Sequence, residues 1–408
     1  MEQQRSIVII GGGIIGCTTA YYLSRHPSYS SSTTSITLLE ASARGTAQGA
    51  SGKAGGLVAK WAYPRELVDI SYPEHVKLAE EHNGTERWGW RFVSCGSWEG
   101  HGEDLGDSGS GVGKGGQKKS LEKTLGLEDV STTREETGLP DDLLWVKEEL
   151  TTSYSPMSGP DGSAQVHPYL FTTSMLELAK EKGVLAVAGS ATSIEREGRR
   201  VTGVSYRDSE NQTKTIPATH VILSAGAWSP SLLPSLPISA TRAHSVTIRP
   251  NSSTTIAPYV LFTEIRLPSN ASTMHSRIVT PEIYARPDGE VYACGPGDDS
   301  RLPKNVDDVV VDLAACESVR DHVASISQEL RDGEVEKRQA CFLPVVSVGG
   351  GPIIGEAEKI AKGLYIATGH TCWGICNAPG TAKAMAELLF EGKIRSGNLK
   401  KLSPSRFL

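Results

Sequence analysis

Apolar residues gather in short dense runs near both ends of the chain, and each run leads into glycine. Residues 7–10 (Ile-Val-Ile-Ile) contain no polar break, the pattern of a strand covered on both faces, and pass directly into Gly11-Gly12-Gly13-Ile14-Ile15-Gly16. A second strand is predicted over 35–39, ending at Glu40. Residues 220–224 and 363–368 repeat the arrangement, one meeting Ala225-Gly226-Ala227-Trp228 and the other Gly369-His370-Thr371-Cys372-Trp373-Gly374-Ile375. Helical spacing of apolar positions predicts helices over 64–83 and 169–183, and an alanine-rich one over 379–390 that stops at Gly392. Shorter strand-like pieces fall at 184–188, 201–206, 245–248, 277–280 and 291–294.

Strand, glycine turn and helix in that order predict an α/β fold with a mainly parallel sheet. The α/β segments are separated by strand-rich ones, so the expected arrangement is discontinuous. A nucleotide-binding domain comprises 1–86, 166–237 and 338–408, and a substrate domain with a mixed or antiparallel sheet comprises 87–165 and 238–337. Two segments read as surface insertions: the Ser/Thr/Tyr-rich stretch 28–35 and the Gly/Ser/Asp-rich stretch 100–116.

Composition narrows the partners. The net charge of −6, without a basic run, gives no sign of a nucleic-acid partner. No apolar run approaches the ~20 residues of a membrane span. Seven scattered cysteines, an odd number in a chain of 408, read as reduced thiols, and the first strand begins with no charged leader before it. The default expectation is an intracellular, cytoplasmic protein acting on a small molecule.

The candidate chemistry starts at the first turn. Gly11 permits its tight bend, Gly13 lets backbone approach a pyrophosphate, and Gly16 lets helix pack on strand. The helix start then offers free N–H groups, those of Ile14 and Ile15 among them, to the phosphates. Glu40 stands where an acid binds a ribose hydroxyl pair, and a carboxylate there disfavours a 2′-phosphate. A dinucleotide follows, and the number of glycine turns says which one. Gly49-Ala50-Ser51-Gly52-Lys53-Ala54-Gly55-Gly56-Leu57 presses backbone against something flat, and the turns after residues 224 and 368 add two more approaches. One long cofactor, FAD, accounts for the set better than NAD does.

These stretches resemble the D-amino-acid-oxidase family of FAD enzymes, which includes glycine oxidase and sarcosine oxidase, and the resemblance extends over most of the chain. It is nearest to fungal FAD-dependent oxidoreductases of that family, on the strength of 50–57 and 369–379. It implies an FAD-binding Rossmann-like domain of the glutathione-reductase type beside the substrate domain. By the same resemblance Ser51, Gly52, Lys53, Gly56 and Leu57 lie beside the phosphates and flavin ring, and Ala191 or Thr192 contacts adenine. Ala225, Gly226 and Trp228 match the family's Ala-Gly-Ala-Trp turn. Gly369, His370, Thr371, Gly374 and Ile375 match the loop under the flavin pyrimidine.

The departures matter as much. Cys341 aligns with the cysteine that carries a covalent flavin in sarcosine oxidases; the alternative is a buried thiol acting as a small hydrophobe. Leu343 stands where glycine and D-amino-acid oxidases have a carboxylate-binding arginine. Cys372 and Cys376 replace basic residues of the last flavin loop, and Ala293 replaces an oxygen-activating lysine. Arg286 becomes the candidate clamp for a carboxylate, against a surface pairing with Asp288, and Trp61, Tyr63, Tyr284 and Trp373 are candidate pocket walls. His370, Cys372 and Cys376 lack a fourth ligand, so no metal is expected.

The function expected is oxidation of a C–N bond in an amine or amino-acid-like substrate by hydride transfer to flavin, with oxygen or another acceptor taking the electrons. A dehydrogenase with a non-oxygen acceptor, a flavin-containing regulatory or binding protein with vestigial activity, and an NAD-linked dehydrogenase are the alternatives.

Overall fold

Six strands form the first sheet of the computed structural model, which describes residues 4–105, 133–251, 255–268 and 277–408. Their order is Ile353–Glu356, Leu364–Thr368, His220–Leu223, Arg5–Ile10, Thr34–Glu40 and Leu185–Ala188. All run parallel except Ile353–Glu356, which is antiparallel to its neighbour at the edge. Alternation sorts the side chains of this sheet into two cores. Ile7, Ile9, Leu38 and Ile222 face a helical layer, while Val8, Ile10, Leu39, Val221 and Leu223 face a three-stranded antiparallel sheet. That smaller sheet is Ser190–Glu197, Arg200–Arg207 and Thr213–Pro217. Full burial of Ile7 and Ile9 contributes about 1.5–3 kcal/mol for each side chain, which explains the unbroken apolar run.

A second large sheet carries Glu334–Val346, Ile238–Arg249, Val291–Asp298, Glu282–Ala285, Tyr259–Arg266, Ser94–His101 and Thr151–Pro156 in that order. Its strands pair antiparallel except Tyr259–Arg266 with Ser94–His101. Helix Leu313–Ala324 covers one face, burying Val246, Ile283 and Ala293. Glu334–Val346 pairs along its length with Ile238–Arg249, so this strand runs continuously through the break expected at 338. Of the expected insertion 100–116, Gly100 and His101 complete a strand, and 106–116 lie outside the described residues.

The last helix also differs from expectation. It runs Gly374–Glu391, starting five residues before Pro379. Proline inside a helix leaves the carbonyl four residues back without its donor, and here that is Ile375. His75, on helix Arg65–Glu81, lies with Nε2 at 3.0 Å from Ile375 O and 3.1 Å from Cys376 O. Burial lowers the His75 pKa to about 4, so the imidazole is neutral and donates from Nε2. One turn earlier on the same helix face, Ser71 Oγ accepts from Gly380 N at 3.1 Å. Tertiary partners thus replace the bonds that the proline removed.

Candidate active site

The carboxyl ends of the parallel strands open onto one continuous cavity of about 370 Å³, the place where open α/β sheets bind ligands. At Gly11 the backbone has φ +108°, and a Cβ would lie 2.6 Å from Ser224 O, so the turn after the first strand admits only glycine. A Cβ on Gly16 would sit 1.9 Å from Gly11 O; this glycine packs the helix onto the turn and does not line the cavity. Helix Ile14–Ser24 begins with no side-chain cap and no acid in its first turn. Ser51 Oγ accepts from Ile14 N at 2.9 Å. Glu40 takes Gly12 N on Oε2 at 2.6 Å and Ser42 N on Oε1 at 2.7 Å. Burial raises its pKa, and those backbone donors pull the other way.

At the other end of the cavity, Gly369 has φ +83° and Thr371 φ +51°. A β-branched residue in the left-handed region is strained, as loops that grip a ligand often are. Thr371 N donates to Pro344 O at 3.0 Å, which ties the loop to the second sheet. The helix that follows, like the first, has no side-chain cap and no acid in its first turn, and Gly374 and Ile375 line the cavity. His370 is buried, with Nε2 at 3.0 Å from Thr381 Oγ1, and burial lowers its pKa to about 3, which keeps it neutral.

The cavity wall brings together Gly11, Gly13, Ile14, Ile15, Glu40, Ser51, Lys53, Ala191, Ala225, Gly226, Trp228, Tyr284, Cys341, Gly369, His370, Thr371, Gly374 and Ile375. Gly52, Gly56, Leu57 and Thr192 lie off it. Gly52 and Gly56 allow tight packing instead, since a Cβ on either would meet a backbone oxygen at 2.0 Å. Thr192 turns outward, its hydroxyl donating to Ser205 O at 3.1 Å. Trp61, Tyr63 and Trp373 do cluster, with Trp373 edge-on to both others at 5.4 and 5.5 Å, but Trp61 and Trp373 stand beside the cavity and not in its wall.

Arg286 is not a free clamp. It is buried, pairs with Glu290, donates to Ala54 O at 2.8 Å and lies off the cavity wall. Asp288, the surface partner considered for it, lies 3.7 Å from Arg249 instead. Ala293 points into the helix-side core, and the residues of its strand that reach the cavity are Tyr292, Cys294, Gly295 and Gly297. Cys376 is buried with Sγ toward Ala59 O, whereas Cys372 is exposed and lines the cavity. No cluster of potential metal ligands occurs among the described residues.

Glu282, Asn305 and Asp307 are among the groups missed from sequence. Glu282 lines the cavity two residues before Tyr284, on the same face of one strand, and period-two alternation would have found it. Tyr284 donates to Glu282 Oε2 at 2.5 Å. Asn305 and Asp307 come from the loop before the 313–324 helix and close over the Glu40 end: Asn305 Nδ2 donates to Ala41 O at 3.3 Å, and Asp307 accepts from Ser42, Ala43 and Arg44. Nothing local in the sequence marks that loop.

An elongated dinucleotide with a flat ring fits this cradle. Two helix starts without an acid in their first turn face it, glycines clear space beside both, and the half-buried carboxylate of Glu40 stands at one end. Comparison with known proteins agrees. Residues 6–388 match the family model described as DAO, FAD dependent oxidoreductase. The chain is 32% identical to the "Putative oxidoreductase" proteins TDA3 of Saccharomyces cerevisiae, covering 100% of this chain and 95% of that one, and C1F5.03c of Schizosaccharomyces pombe, covering 99% of each. Its fold is similar to that of glycine oxidase from Bacillus cereus, with TM-score 0.69, 21% identity and 96% of each chain covered. L-proline dehydrogenase from P. horikoshii gives TM-score 0.70 at 18% identity, covering 100% of this chain and 98% of that one. With the family model spanning residues 6–388, nearly all of the chain, the chain belongs to the DAO family of FAD-dependent oxidoreductases.

Proposed function

We propose that the protein oxidises a C–N bond in an amine whose reacting carbon is not flanked by a free carboxylate. FAD supplies the hydride acceptor when bound. Gly11, Gly13 and the helix start at Ile14 hold its pyrophosphate, Glu40 holds the adenosine ribose, and the helix start at Gly374 stabilises negative charge at the ring end. Ala191 backbone contacts the adenine, and Ala225, Gly226 and Trp228 complete the wall between the two ends. The second sheet presents Tyr284, Tyr292 and Cys294 to the rest of the cavity, which encloses a substrate and excludes water.

The observation that carries the reading is that no arginine lines that wall among the described residues. Leu343 lines it as an apolar residue, and Arg286 is consumed by Glu290 and Ala54 O. A simple amino acid would bury its carboxylate there without a guanidinium partner, at a cost of several kcal/mol. The glycine oxidase and proline dehydrogenase folds make C–N oxidation the natural chemistry, while the pocket argues against their substrates. The experiment is a panel of amines and amino acids mixed anaerobically with the flavin-loaded protein, following bleaching of the flavin band. Amines should bleach it, and glycine and D-alanine should not. Brisk bleaching by D-alanine would overturn the reading. Readmitting oxygen and measuring peroxide separates an oxidase from a dehydrogenase.

A further inference from the structure

We propose that Glu282 makes this pocket a receptor for a cationic amine, its carboxylate pairing with the substrate ammonium. The inference rests on reading the cavity as the substrate site. Glu282 faces the cavity from strand Glu282–Ala285, directly opposite Cys294 on the neighbouring strand. Both of its protein contacts fall on one oxygen: Tyr284 donates to Oε2 at 2.5 Å, and Cys294 Sγ lies 3.8 Å from the same atom. Oε1 has no hydrogen-bond partner among the described residues, and no lysine, arginine or histidine there forms an ion pair with Glu282. Lys53, a cation of the same wall, donates to Ala340 O at 2.9 Å on the Cys341 side.

A carboxylate withdrawn from water and left without a counter-charge is costly, and its pKa is raised by burial against the pull of Tyr284 and Cys294. Structural carboxylates in this protein are treated differently. Glu290, fully buried, has Arg286 on one oxygen and Lys337 at 3.0 Å on the other. An unpaired carboxylate at a cavity wall is the arrangement expected when the missing cation arrives with the ligand. The Tyr284 and Tyr292 rings, edge to face at 5.5 Å, flank the same space, and aromatic rings suit an ammonium and its carbon neighbours. Tyr284 acts as a positioning residue: its hydroxyl holds Oε2, so that Oε1 is left for the ligand.

Two size-matched probes test this. Benzylammonium chloride and sodium benzoate are titrated calorimetrically into the protein as purified, and into protein saturated with FAD, at pH 7.5. The expected result is benzylammonium binding at least tenfold tighter than benzoate. Glu282→Gln, which keeps the size and the tyrosine contact, should lose at least tenfold in benzylammonium affinity with an unchanged melting temperature and no loss of benzoate affinity. Glu282→Asp should recover part of the loss. Benzoate binding as tightly as benzylammonium, equal benzylammonium affinity in wild type and Glu282→Gln, or no benzylammonium binding at 10 mM would each overturn the proposal. Flavin content measured on the same samples keeps the two readings apart. A protein that rejects FAD refutes the proposed function, whereas one that takes up FAD and prefers benzoate refutes only the role of Glu282.

Discussion

The Ser42 hydroxyl donates a 2.7 Å hydrogen bond to Asp307, joining residues 265 positions apart. Asp307 also accepts from Ala43 N at 2.9 Å and Arg44 Nε at 3.0 Å. Its loop leaves the second sheet, lines the cavity beside Glu40, and so fastens the two sheets together at the Glu40 end. Trp228, donating from Nε1 to Pro303 O at 2.8 Å, anchors the same loop from the opposite wall.

Asp307→Ala should therefore release FAD faster without changing the fold. Loss of these partly exposed bonds is worth about 1 kcal/mol, or roughly a fivefold rise in dissociation constant. Recovery of flavin fluorescence after dilution measures it, and an unchanged rate would show that the loop does not retain the cofactor.

Glu40→Ala removes the proposed ribose ligand and also the partner of Gly12 N and Ser42 N. A charge-assisted bond of roughly 1.5–3 kcal/mol corresponds to about one to two decades in FAD affinity. Dialysis followed by flavin absorbance gives the retained fraction, and the circular dichroism spectrum should stay that of the folded protein.

Arg286 and Glu290 are predicted to govern stability and acid resistance. Breaking a buried pair by removing one partner costs about 3–5 kcal/mol, so Arg286→Ala should lower the melting temperature sharply, where a substrate clamp would alter only KM. Burial pushes the Glu290 pKa up, but Arg286 and Lys337 outweigh it and bring it down to about 2. A folded-state value below the unfolded one means stability that is present above the ordinary glutamate range and lost as pH falls from there through about 2. Urea midpoints measured across that window should fall less steeply in Glu290→Gln than in wild type.

Cys341 is expected to hold no covalent flavin. Burial raises its thiol to about 11, and the pull of Lys53 in the other direction is too small to expose a thiolate at neutral pH. Acid precipitation of flavin-loaded protein should leave the flavin in the supernatant. Flavin in the pellet that Cys341→Ser releases would reverse this conclusion and restore the sarcosine-oxidase expectation.

Much of the candidate cradle is legible in the sequence because it is local. Gly11, Gly13 and Gly16 act within one strand–turn–helix unit, and the run ending at Glu40 declares a buried strand by its own composition. The helix over 65–81 shows in its apolar spacing for the same reason. Its counterpart starting at Gly374 was read too short, since proline argues against a helix interior until His75 and Ser71 arrive from another helix to satisfy the freed groups.

The sequence by itself determined the α/β character, the glycine turns and the identity of the dinucleotide, because backbone conformation and hydrophobic periodicity are set by neighbours a few residues apart. Only the tertiary structure decided that Arg286 is spent on Glu290, that Ala293 faces away from the cavity while Glu282 faces into it, and that Asp307 reaches back to Ser42. Those outcomes depend on which face of a sheet a side chain takes and on which charges end up within a few ångströms of one another. Both are settled when strands distant in sequence pair in register.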